Sequence, residues 1–209
     1  MEVFSKIVLG AGTAAGISGV GYLSFSHLNK EKTTSIKELI LKDPSIALIN
    51  SNEEARWSKI WTEYAKQNAN KAKDSWSLEG WDHTKTQTRL PSLSAKCSSE
   101  LLREVKSTED KEYKDFVTWC TREAEFQDKL AREGYRPISE KDQESTWTNN
   151  FNEYKKADNK LKIHDLTIGE QEQQSDKLKE GCKTALAKPI SDSNYAATFE
   201  GIKRWCAVK

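Results

Sequence analysis

The sequence predicts an all-α fold: two tandem three-helix units, each stapled by one disulfide, following an N-terminal transmembrane helix. Three observations carry this. Apolar residues recur at i, i+3, i+4 and i+7, the spacing of one helix face. A set of Trp, Tyr and Cys positions recurs 85 to 90 residues later. The stretch Phe4–Phe25 contains a single charge, Lys6. Strand signals are weak, with four Pro in 209 residues and few β-branched runs, whereas Lys, Glu, Ala, Leu and Gln, which favour helix, fill the segments between.

Residues 1–26 are read as the anchor. At about 1.5 Å per residue, Phe4–Phe25 just spans a hydrocarbon layer of about 30 Å. Lys6 lies near the segment's start, where its stem can reach the interface. Gly12 and Gly16 stand one turn apart and permit close packing of membrane helices. A cleaved signal would end on small residues; here the apolar run continues into Tyr22-Leu23-Ser24-Phe25 without such a site. Residues 27–47 form a polar juxtamembrane stalk, interrupted at Asp43-Pro44.

The first helical repeat is assigned to residues 48–134. Ser51 and Glu54 have capping-box spacing. Trp57, Ile60, Trp61 and Tyr64 follow on one helical face. Leu93, Cys97, Leu101 and Val105, four apart, mark a second helix, and Tyr113, Phe116, Val117 and Cys120 a third. That third helix is expected to run on through Phe126 and Leu130 to a stop at Gly134. The second repeat is assigned to 135–209. Trp147, Phe151 and Tyr154 lie 90 positions after Trp57, Trp61 and Tyr64; Leu178, Cys182 and Leu186 lie 85 after Leu93, Cys97 and Leu101. Phe199, Ile202, Trp205 and Cys206 lie 86 after Tyr113, Phe116, Trp119 and Cys120. Trp and Cys are rare letters, so their match points to an internal duplication.

A unit of this size has a small core and gains from a covalent staple. In each unit one Cys lies on the apolar stripe of the second helix and one at the equivalent place on the third. Antiparallel packing would join Cys97 to Cys120 and Cys182 to Cys206. The competing reading is four buried thiols acting as small core residues. Disulfides require an oxidising compartment, which argues for an extracellular body. Lys30, Lys32, Lys37 and Lys42 after the segment argue the opposite by the positive-inside rule. The cysteines are given the greater weight, which places a single-pass protein in the cell membrane with its bulk outside.

Little points to chemistry. With 33 basic and 32 acidic residues the net charge is +1, which removes the electrostatic case for nucleic acid. No C-x-x-C, Walker, GxSxG, HExxH or dinucleotide pattern occurs. His27, His83 and His164 are isolated and read as surface residues. No catalytic residue, cofactor or metal is expected. Trp76 and Trp81, around Gly80, lie in an insert that is the one feature without a counterpart in the second unit. They are candidate partner contacts, since Trp is a frequent anchor; the competing reading has the insert folded back over the junction of the units.

The opening MEVFSKIVLGAGTAAGISGVGYLSF, the Lys/Glu/Ser/Thr-rich body and the closing LKEGCKTALAKPI…YAATFEGIKRWC resemble paralogous membrane-anchored protein families of haemotropic mycoplasmas. The resemblance implies a surface-displayed protein of a wall-less bacterium, engaged in host contact or antigenic variation. It brings no site residues. The expected function is therefore a non-enzymatic surface protein, with the lipid bilayer and a host protein as partners. The alternative is an envelope protein that self-associates as a homo-oligomer; an enzyme of unrecognised type ranks third.

Overall fold

The computed structural model describes residues 32–139, 142 and 144–209. The segment 4–25, with Gly12 and Gly16, and His27 lie outside them. Among the described residues no helix is long and apolar enough to cross a membrane.

The chain from Lys32 to Lys209 is one compact unit with two hydrophobic clusters. The first is built by β1 (Thr34–Ser35), α1 (Ile36–Lys42), β2 (Ile46–Leu48), α2 (Glu54–Gln67), α3 (Pro91–Glu100), β3 (Glu104–Val105), α4 (Lys111–Cys120) and β4 (Thr121–Glu123). The second is built by α5 (Phe126–Arg132), β5 (Arg136–Pro137), α6 (Glu144–Tyr154), α7 (Asp176–Leu186), α8 (Ser193–Ala196), α9 (Phe199–Cys206) and β6 (Ala207–Val208).

Helix dominates, as the periodicity predicts, and the expected faces are buried: Trp57, Trp61 and Tyr64 on α2, Trp147, Phe151 and Tyr154 on α6. The fold is nevertheless not all-α. Among the described residues, three two-stranded antiparallel ladders pair β1 with β3, β2 with β4 and β5 with β6. Each strand has only two or three residues, too short to print an alternating pattern on the sequence.

The expected stalk, 27–47, contains folded structure. Ser35 caps α1 by accepting from Glu38 N (3.3 Å), and Ile36 and Ile40 are buried in the first cluster. The second and third helices of the first half also end earlier than expected: α3 stops at Glu100, so Val105 lies on β3 and not on the helix stripe. α4 stops at Cys120, and residues 121–125 are extended. Phe126 and Leu130 start a new helix, α5, and lie in the second cluster. Phe126 and Leu130, assigned to the first repeat, thus pack with the residues of the second. Gly134 does end α5, with φ of +79°, as the stop signal predicts.

Contacts match between the halves in detail. Ile36 N donates to Arg103 O (2.9 Å), and Phe126 N to Lys188 O (3.1 Å). Ile49 N donates to Cys120 O (3.1 Å), and Ile138 N to Cys206 O (2.9 Å). Ser35 pairs with Glu104 as Glu125 pairs with Pro189. Tyr64 meets Trp119 edge-on at 5.0 Å, and Tyr154 meets Trp205 at 5.8 Å. Each half thus has a helix before the predicted three: α1 in the first, α5 in the second.

Ser51 does not cap α2. The helix starts at Glu54, and the Glu53 carboxylate turns back to accept from Asn50 N (2.6 Å). The matching bond in the second half is from Ser139 N to Asp142 Oδ2 (2.6 Å). Glu53 is held there by Arg122, the hub of the junction between halves. Arg122 is only 6 % exposed and pairs with Glu53 (2.8 Å) and Asp128 (2.6 Å). Glu125, 7 % exposed, is paired with Arg56 and receives Gln127 Nε2 (2.6 Å). The attractions to Asp128 and Glu53 overcome burial and raise the Arg122 pKa further, so it stays charged. Arg132 completes the junction, donating to Asp43 O (2.8 Å) and Ile46 O (2.7 Å).

Candidate functional site

The disulfides form as the spacing predicts. Cys97 joins Cys120 and Cys182 joins Cys206, with Cα separations of 5.6 and 5.3 Å. Each bond ties the middle of one amphipathic helix to the last residue of another, beside the ladder that follows.

A cleft opens at the same register beside each bond. In the second half it lies between α7 and the 137–139 segment, with a volume of about 780 Å³. Trp147, Cys182 and Leu186, from the faces that α6 and α7 turn inward, and Ile138 from the 137–139 segment give it an apolar lining. In the first half the equivalent residues Ile49, Trp57, Cys97 and Leu101 line a space of only about 130 Å³. There Leu48 stands in place of Pro137, and Phe116 reaches the lining where Ile202, its counterpart, does not.

The rims differ as well. Ser94 and Ser98 edge the small cleft; Lys179 and Lys183, at the corresponding turns of α7, edge the large one. Lys179 is engaged by Glu144 (3.0 Å) and Asp176 (3.4 Å), and these partners raise its pKa. Lys183 is exposed and has no ion pair among the described residues. The sequence did not single out this cleft; its only trace is the Lys-for-Ser exchange at matched positions, visible once the halves are aligned.

Trp76 and Trp81 do not stand out into solvent. Both are half-buried against the first cluster. Trp81 meets Trp61 and Tyr64 edge-on at 6.1 and 6.0 Å and donates from Nε1 to Lys71 O (2.9 Å). Trp76 packs near Tyr64, and its N–H donates to the Tyr64 hydroxyl (3.1 Å). That hydroxyl donates to the buried Asp74 carboxylate. Burial first, and Asp74 second, push the Tyr64 phenol well above the usual range. The connection therefore folds back over its own half and leaves the junction to Arg122. The expectation that it lacks a counterpart does not hold, because a connection of the second half stands at the matching place. Residues 155–175 cover Tyr154, whose hydroxyl accepts from Ile163 N (3.1 Å) and donates to Leu166 O (2.8 Å).

His83 is exposed in the first connection. His164 Nε2 lies 3.2 Å from Asp165 Oδ1, and its ring meets Tyr195 edge-on at 5.1 Å. The irregular backbone there, with Asp165 at φ +60°, lets neighbours face each other that could not on a helix or strand. No group of three or more His, Cys, Asp or Glu is placed to hold a metal among the described residues. No family model, curated protein or solved structure matches the chain.

Proposed function

We propose that this is a non-enzymatic surface protein, anchored in the cell membrane by residues 4–25, whose two helical halves face the outside and contact a host component or vary antigenically. One observation supports this most: both halves carry a buried disulfide, and such bonds persist in oxidising compartments. We read the halves as an internal duplication. Its unit is the three predicted helices plus the preceding α1 or α5, and its support is the recurrence of hydrogen bonds, aromatic pairs and disulfides at matched positions.

Protease treatment of intact cells tests the placement. Residues 32–209 should be degraded without permeabilisation, and full protection would overturn the reading. Chemical cross-linking on the same cells should give hetero-conjugates with host material; a ladder made only of the chain itself would favour the envelope alternative.

A further inference from the structure

We propose that the cleft beside Cys182 binds a small amphipathic carboxylate, an aliphatic or aromatic body bearing one acidic end. This does not depend on surface display. Its volume, about 780 Å³, lies within the roughly 300–1,000 Å³ of small-molecule sites. The floor of Ile138, Trp147 and Leu186 has no charge to offer and suits an apolar body.

Charge is sorted along α7. Toward its N-terminal end Lys179 is neutralised by Glu144 and Asp176. One turn on, about 6 Å at 1.5 Å per residue, Lys183 has no ion pair among the described residues, and Gln127 and Ala187 line the cleft with it. The free ammonium at that end selects a carboxylate. Glu180 shares the rim and opposes it. In the first half the space is about 130 Å³ with Ser98 in place of Lys183, so one site per chain follows.

The test is calorimetric titration of the full chain in lipid nanodiscs, with empty nanodiscs subtracted, using 6-phenylhexanoate, 6-phenylhexanol and 6-phenylhexylamine. The carboxylate should bind one per chain and about tenfold tighter than the alcohol, with the amine weakest. Lys183→Glu should remove the preference for the carboxylate, and Glu180→Gln should increase it. Ala187→Phe should block all three probes, while Ser98→Lys should add no second site. Thermal melting of each variant separates these effects from unfolding, since the substituted side chains are exposed. Absence of binding at millimolar probe, equal affinity for the three probes, two sites per chain, or an unchanged preference in a folded Lys183→Glu variant would each overturn the proposal.

Discussion

The two halves hold the same tyrosine in the same place and cover it differently. Tyr64 is enclosed by aromatic rings: Trp61, Trp76, Trp81 and Trp119 all lie within 6.5 Å of it, centroid to centroid. Tyr154 has one such neighbour, Trp205, and a lysine instead of further rings. Lys162 Nζ sits 4.9 Å over its ring and donates to Tyr154 O (2.7 Å). Lysines recur across the second half, with Lys155 over Phe151, Lys188 over Tyr195 and Lys129 over Phe199. The described first half has one such pair, Arg89 over Trp57. A buried ring must be shielded from water and its hydroxyl must find partners. Both connections meet these demands, one with indoles and a carboxylate, the other with a lysine and with a backbone carbonyl and amide.

The largest expected effect lies where the halves meet. Arg122→Ala leaves Asp128 without its cation and Glu53 and Glu125 with Arg56 alone, and should cost about 3–5 kcal/mol. Arg122 has no counterpart at the end of the second half, where Val208 stands. Differential scanning calorimetry should show the single transition split into two, one per half; an unaltered single transition would mean that apolar contacts alone join them.

Removing a disulfide should come next. The bonds span 23 and 24 residues, which corresponds to about 3 kcal/mol each in the loop-entropy account. Urea denaturation of Cys97→Ser/Cys120→Ser and of Cys182→Ser/Cys206→Ser should show similar losses. A large inequality would break the equivalence of the halves.

Trp81→Ala should cost about 2 kcal/mol, less than the roughly 3–5 of a fully buried Trp, because Trp81 is half-buried. A loss near zero would return Trp81 to the role of a displayed contact. Smallest is Lys129→Ala, whose ammonium lies 3.9 Å over Phe199; about 0.5–1 kcal/mol is expected.

The pH dependence sharpens the comparison from another side. Burial, joined at Tyr64 by the Asp74 hydrogen bond, raises the phenols of both Tyr64 and Tyr154. A raised pKa means the folded state holds the proton more tightly. That stability is fully present below the unfolded value of about 10 and is lost as pH rises beyond it. Urea midpoints should therefore fall above about pH 10. Tyr64→Phe should flatten that fall more than Tyr154→Phe, since Asp74 has no counterpart carboxylate beside Tyr154. At the acid end, the Thr84 hydroxyl and amide hold Asp82 at about 2, and the Ser45 hydroxyl and amide lower Asp43. These groups contribute stability above the ordinary carboxylate range, lost as pH falls through their depressed values.

The sequence by itself determined the helical faces and the recurrence of Trp, Tyr and Cys, and it favoured the cysteine pairing that the fold then made. Helix faces print a period on a dozen residues, and rare letters keep their spacing from their neighbours. Tertiary structure alone decided the rest. Strands of two or three residues carry no readable period, so the ladders were invisible, and with them the extended link at 121–125. Without that link α5 looked like the tail of α4, and α1 like part of a stalk. Arg122 was one of 33 basic residues until folding brought Glu53, 69 positions earlier, against it. The large cleft likewise lies between α7 and the 137–139 segment, elements that packing, and no local run of residues, brings together.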